Sequence, residues 1–267
     1  MIKLIASDMD GTLLNDDHMI SDENLRAIRK AQEMGRHFTI VTGRDYAAVK
    51  SYLEDCNLKC ECILSNGAEY RDVNGNVIES VYMNKKSVKI VFDILNEAGL
   101  CIQLMTNKGS YITNKENDKK AIIDRFKLFN PKMTEEEVIE FVESFHKQRG
   151  MNYIDNVYEI LDSDVEVLKI VTFDNDENLI AKLKEKLKEN TSDLAVASTF
   201  SNDIEISDIE AQKGLILAKT IKKMGIDKSE VIVLGDSFND YSMFTEFENS
   251  YAMENAIPEI KEIAKYI

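Results

Sequence analysis

Three things are scarce in this chain of 267 residues, and each scarcity removes a class of answer. Long apolar runs are missing. No stretch approaches the ~18 apolar residues of a membrane span, and the opening MIKLIASD turns acidic too soon for a signal peptide, so the expectation is a cytoplasmic protein with no membrane partner. Sulfur and imidazole are sparse as well. The four cysteines, Cys56, Cys60, Cys62 and Cys101, lack the paired CxxC steps of a zinc site and are expected to be reduced, structural thiols. The histidines, His18, His37 and His146, share no ligand spacing and are assigned no chemistry. Basic charge is the third scarcity: 33 Lys and Arg stand against 48 Asp and Glu, a net of −15. That balance repels nucleic acid and anionic lipid over most of the surface, so an anionic substrate must be held by a local positive centre. No GxxxxGK[ST] occurs, which sets aside a P-loop NTPase.

What is present is enough for a sizeable core, with 44% hydrophobic residues in one large domain or two modest ones. Ile2, Leu4, Ile5 and Ala6 read as a short buried strand that stops at Asp8, Asp10 and Gly11, residues poorly suited to one. SDENLRAIRKAQEMG follows as a helix, with Ser21 as N-cap, Leu25, Ile28, Ala31 and Met34 at helical spacing, and Gly35 as terminator. HFTIVT at 37 to 42 is a strand, DYAAVKSYLEDC a helix and CILS at 62 to 65 a strand, the β-α-β-α-β rhythm of a doubly wound parallel sheet. The rhythm breaks at a hairpin signalled by Asn74-Gly75.

From 84 to 198 the grammar changes to a helix at 87 to 98, strand-like CIQLMT and SYIT, two acidic helices over 118 to 148, strand-like VEVLKIVTF, a Lys/Glu helix and LAVAST. This mixture reads as an α+β insertion, with KEKLKE at 184 to 189 a solvated helix face. The α/β rhythm returns with KGLILAKTIKKMG as a helix, EVIVLGD as a strand and DYSMFTEF as a short helix.

In a parallel sheet the functional crevice lies at the carboxyl ends of the strands. Three clusters sit where strands are expected to end: Asp8 and Asp10, then Thr42-Gly43-Arg44, then Asp236, Asn239 and Asp240. Each has a plainer reading alone, as a helix cap, a common tripeptide or ordinary loop chemistry. Together, three or four carboxylates converging at one sheet edge repel each other unless a cation binds there. Oxygen-only ligands with partial hydration favour Mg²⁺, which commonly works beside substrate phosphates. Lys213, directly before Gly214 at the head of a helix, is either a second positive centre or a solvated lysine.

DMDGTLL, VTGR, QKG and GDSFND, in this order, resemble the four motifs of the haloacid-dehalogenase-like phosphohydrolases. The helical Lys-Gly followed by GDSFNDYSM, SNGA at 65 to 68, and a large insertion between the second and third motifs resemble the Cof-type subfamily with its α/β cap. The likeness covers essentially the whole chain. It implies a Rossmann-like catalytic core over 1–83 and 199–267, and a cap over 84–198 that governs substrate choice. It further implies a Mg²⁺-dependent phosphatase of small phosphomonoesters, such as sugar phosphates, acting through an aspartyl phosphate.

Carried onto this chain, the resemblance makes Asp8 the nucleophile and Asp10 the acid and base. Mg²⁺ would be held by Asp8, the backbone carbonyl of Asp10, and Asp236. The phosphate would meet the Met9 backbone, Thr42, the Gly43 amide, Lys213 and Asn239. Arg44 and Asp240 would support them, Asp240 by orienting Lys213 or backing the metal. The expected partner is a small phosphorylated metabolite, and the expected state a monomer or weak homo-oligomer. A phosphomutase would share this site, and a non-catalytic phosphometabolite sensor is the rival from another class, although a sensor could dispense with Asp10. Asn107, Lys108, Ser110 and Tyr111 in the insertion either reach the leaving group or occupy a surface loop. Three features depart from the family pattern: Glu254 where a glycine is usual, a chain ending at AKYI, and QKG without its usual preceding residues. The first two lie outside the four motifs and bear on a rim contact or the last core element.

Overall fold

The computed structural model of the chain describes residues 1–113, 123, 133–149, 151–154, 156–198 and 201–267. It divides into two units, Met1–Val81 with Ile209–Ile267, and Tyr82–Asp208. The first opens with β1 (Leu4–Ser7), α1 (Asp22–Glu33), β2 (His37–Val41), α2 (Tyr46–Asp55), β3 (Glu61–Leu64), β4 (Glu69–Arg71) and β5 (Val77–Ser80). The Ser21 side chain accepts from the Asn24 amide at 3.1 Å, and Asp45 does the same for Ala48 at 2.8 Å, so both helices start where a side-chain oxygen satisfies an orphan donor. The expected hairpin joins β4 to β5.

The second unit contains α3 (Lys85–Glu97), β6 (Ile102–Thr106), β7 (Gly109–Thr113), α4 (Glu135–Arg149), β8 (Asn152–Ile154), α5 (Tyr158–Leu161), β9 (Val167–Phe173), α6 (Glu177–Asn190), β10 (Leu194–Ala197) and β11 (Asp203–Asp208). Of the two acidic helices expected over 118 to 148, the second is α4 and the first lies outside the described residues. The first unit resumes with α7 (Lys213–Met224), β12 (Val231–Gly235), α8 (Tyr241–Glu246), β13 (Asn249–Ala252) and α9 (Pro258–Ile263).

The first unit's sheet runs β13-β12-β1-β2-β3-β4-β5, parallel from β13 to β3 and antiparallel beyond. Its strands feed both faces, as a period of two requires. Leu4, Ala6, Val41 and Ile63 pack with Ile216 and Leu217 of α7 and Met243 of α8. Their neighbours Ile5, Ile40, Cys62 and Leu64 pack with Ile28 of α1 and Val49 of α2. All four cysteines are free thiols, with Cys60 and Cys62 buried.

The second unit's sheet runs β10-β11-β9-β6-β7-β8, antiparallel except for β7 beside β8. Its core draws Val88, Val91 and Leu95 of α3 and Ile180, Leu183 and Leu187 of α6 onto Leu104, Ile170 and Ile206. Within KEKLKE, Leu187 is thus buried while the flanking Lys and Glu side chains lie outward or half out. The unit begins at Tyr82 and ends at Asp208. Its last strand, β11, pairs with β9 and β10. Among the described residues, no helix is long and apolar enough to cross a membrane.

Candidate active site

The turn after β1 is built by its own residues. The Asp8 amide donates to Leu234 O at 2.9 Å, carrying the parallel ladder one residue past β1. Met9 is fully buried in the core on the α1/α2 face, which anchors the turn. Gly11 then takes φ +79°, where a side chain is strained, and a Cβ there would stand 2.5 Å from Oδ2 of Asp236. The turn therefore leaves room for the Asp236 carboxylate only because residue 11 has no side chain.

Oxygens of Asp8, Asp236 and Asp240 lie within 4.8 Å of one another. Fully buried Lys213 stands among them, its Nζ 2.6 Å from Oδ1 of Asp8 and 2.6 Å from Oδ1 of Asp240. Burial works against its charge, but Asp240 and then Asp8 more than offset that, and the ammonium pKa is raised. Asp240 turns its other oxygen to the amides of Asp236 at 2.9 Å and Ser237 at 3.1 Å, so it orders both the lysine and the loop. Asp8 is pushed well above the usual carboxylate range, by burial first and by Asp240 next, with Lys213 opposing. Asp236 is raised by burial and then by Asp240, against hydrogen bonds from Ser237 and Thr12 at 3.0 Å each. Three carboxylates and one ammonium leave two negative charges in a largely buried space, which matches one divalent cation, and the donors are all oxygen.

Asp10 is not among these three clustered carboxylates. Both its oxygens are gripped by Arg44, Nε at 2.8 Å from Oδ2 and Nη2 at 2.6 Å from Oδ1. Arg44 is fixed in turn by α2: Nη1 donates to the Tyr52 hydroxyl at 3.1 Å, and the guanidinium lies 5.2 Å from the Tyr52 ring centroid. Burial disfavours the Arg44 charge, but the hydrogen bonds and charge of Asp10 outweigh it and raise its pKa. Thr42 is buried, its amide on Ile63 O at 2.8 Å and its hydroxyl oxygen accepting from the Arg44 amide at 3.2 Å. Gly43 lies between them. Asn239, half-buried, reaches Oδ1 of Asn66 from Nδ2 at 3.4 Å.

All ten sequence-derived candidates thus fall in the first unit, with Asp8, Lys213, Asp236 and Asp240 in one buried cluster and the Asp10 carboxylate paired with Arg44. The sequence reading missed Thr12 and Ser237 on Asp236, Tyr52 behind Arg44, Asn66, and Asn255, whose Nδ2 donates to Gly11 O at 2.9 Å. Ser237 directly follows Asp236 and Thr12 lies two residues after Asp10, whereas Tyr52 and Asn255 have no local signal. In the second unit, Asn107 accepts from the Glu166 amide at 2.9 Å and Lys108 pairs with Asp164 at 2.5 Å, so both are engaged by that unit's own loop. Ser110 is buried and Tyr111 packs against the same unit's core.

Residues 5–267 match the family described as haloacid dehalogenase-like hydrolase. Among similar proteins, Phosphatase YwpJ of Bacillus subtilis is 32% identical over 98% of this chain and 93% of its own. The 5-amino-6-(5-phospho-D-ribitylamino)uracil phosphatase YwtE of the same organism is 31% identical over 100% of this chain and 92% of its own. A solved structure of a haloacid dehalogenase-like hydrolase from B. subtilis superposes with a TM-score of 0.85 at 32% identity, covering 99% of this chain and 94% of that one. With its buried acidic cluster at the carboxyl edge of a parallel sheet and its match over nearly the full length, this chain belongs to the haloacid dehalogenase-like hydrolases.

Proposed function

We propose that the protein is a Mg²⁺-dependent phosphatase of small phosphorylated metabolites in the cytoplasm, working through an aspartyl phosphate on Asp8. The observation that carries this reading is the pairing of buried Asp8 with buried Lys213 beside Asp236, which leaves two uncompensated negative charges at a sheet edge. The phosphatases named among its relatives support the substrate class. Asp8, Asp236 and the Asp10 carbonyl are the residues that would hold Mg²⁺, which when bound supplies positive charge to the carboxylates and the phosphate oxygens.

Lys213, Thr42, the amides of Met9 and Gly43, and Asn239 bind the phosphate. An Asp8 oxygen attacks phosphorus, and the bond from phosphorus to the ester oxygen breaks with its electron pair on that oxygen. Asp10 delivers a proton to the departing alkoxide. Water then attacks the phosphorus of the aspartyl phosphate, Asp10 takes the water's proton, and inorganic phosphate leaves with Asp8 restored. Between turnovers Lys213 stabilises the Asp8 anion that burial disfavours.

The test is hydrolysis of an aryl phosphate with Mg²⁺, after exhaustive chelation, and with Asp8→Asn. Activity should require the cation and vanish in the variant, and acid quenching of the wild type should trap labelled phosphate on Asp8. Full turnover by folded Asp8→Asn would place the nucleophile elsewhere.

A further inference from the structure

The SNGA stretch plays no part in the scheme above, yet it is the most constrained backbone near the site. The chain leaves β3 through three consecutive residues of positive φ: Ser65 at 51°, Asn66 at 60° and Gly67 at 104°. Non-glycine residues are uncommon in that region, and two in succession persist only where the surroundings hold them. Here the surroundings are the Thr42–Arg44 loop: the Ser65 amide donates to Arg44 O at 2.9 Å and the Asn66 amide to Thr42 O at 3.0 Å. Both residues are buried. The result is an Asn66 side chain aimed at Asn239, whose Nδ2 donates to Asn66 Oδ1 at 3.4 Å.

We infer that Asn66 is a positioning residue for Asn239, orienting its amide so that an N–H rather than the carbonyl faces the phosphate; this rests on the phosphatase site proposed above. An asparagine amide presents two donors at one end and an acceptor at the other. The backbone of Asn239 is already fixed, in a short turn closed by reciprocal bonds between Ser237 and Asp240. What stays open is the turn of the amide itself. By accepting one proton of the NH₂ group, Asn66 selects that end for the inner edge and leaves the second N–H for a phosphate oxygen. Without the acceptor, the Asn239 carbonyl competes for the same position, where it repels the anion.

The two roles of Asn66, backbone and side chain, separate by substitution. Asn66→Gly accepts positive φ without strain but deletes the amide, whereas Asn66→Ala deletes it and adds strain. Wild type, Asn66→Gly, Asn66→Ala, Asn239→Ala and the Asn66→Gly/Asn239→Ala double variant would be compared for KM and kcat on an aryl phosphate. Inorganic phosphate binding would be measured alongside by calorimetry. Asn66→Gly should weaken phosphate binding and raise KM about tenfold, the size expected for one misdirected hydrogen bond, with a normal melting temperature. The double variant should be no worse than Asn239→Ala, because the residue acts through Asn239. If glycine loosens the turn, Asn66→Ala carries the same comparison. A silent Asn66→Gly, or independent losses that multiply in the double variant, would overturn the inference. Phosphate bound by a wild type that hydrolyses nothing would remove the phosphatase reading but leave this one to stand on the binding constants. Absence of both phosphate binding and hydrolysis would overturn both.

Discussion

Arg44 and Asp10 meet as two parallel forks, with N···O distances of 2.6 and 2.8 Å, and Tyr52 holds the guanidinium from behind. The fork holds the Asp10 carboxylate in one place, with both of its oxygens accepting from Arg44. Arg44→Lys keeps the charge but loses the fork. We expect kcat on a sugar phosphate to fall about tenfold with little change in KM, roughly the worth of one strong charge-assisted hydrogen bond. Unchanged steady-state constants would show that Asp10 needs no orientation.

Asp10→Asn should depend on the leaving group. Sugar phosphates, whose alkoxides need a proton, should lose ~10² to 10⁴-fold in the rate of Asp8 phosphorylation, while aryl phosphates should lose less in that step. Single-turnover measurements decide this. A defect independent of leaving group would deny Asp10 the acid role.

The metal-free protein should be destabilised by its own acidic cluster as pH rises. The Asp236 pKa is raised by burial and by Asp240. Its contribution is therefore fully present below the ordinary carboxylate pKa near ~4 and is lost as pH climbs through the raised folded value. Asp236→Asn cannot ionise. Comparing melting temperatures without metal, the wild type should lose ground to Asp236→Asn between about pH 4 and pH 7.5, and Mg²⁺ at the upper end should raise only the wild type. A constant difference across that range would contradict the account.

Gly214→Ala should damage the fold and the site together. A Cβ at 214 would lie 2.1 Å from the backbone oxygen of Ser242, so α7 and α8 touch backbone to backbone there. Forcing them apart should cost about 1–3 kcal/mol and displace Lys213, the preceding residue. Calorimetry should show a melting temperature several degrees lower. A wild-type melting temperature would mean the helices separate freely.

The elements read most clearly from sequence were those with a local cause. Ser21 and Gly35 bracket α1, and the hairpin turn at Gly75 takes φ +81°. The short helices α5 and α9 are unread in the sequence, as are the strands β8, β11 and β13: NYI and NSYA are short and polar, and DIEISD sets only Ile204 and Ile206 in alternation. These three segments are strands because a neighbouring strand is there to pair with, as β13 does with β12. The site divides the same way. The aspartates stood out at strand ends, and so did Lys213 beside a helical glycine. The partners that aim them, Tyr52 on α2 and Asn66 in a left-handed turn, are visible only once the chain is folded.

The counter-ion of Asp8 lies 205 residues further along the chain. The strand that flanks β1 opposite β2 arrives later still, with Leu4 set against Val231. At roughly 5–20 residues per second of synthesis, an emerging chain carries Asp8 for some ten to forty seconds before Lys213 exists. The second unit's core, which draws on residues between Met83 and Ile206, is complete before then. A ribosome that stops early, or a protease that clips the last quarter, thus releases a half-built sheet with an open edge beside a lone carboxylate. Such fragments should have no residual phosphatase activity and should be cleared as misfolded chains.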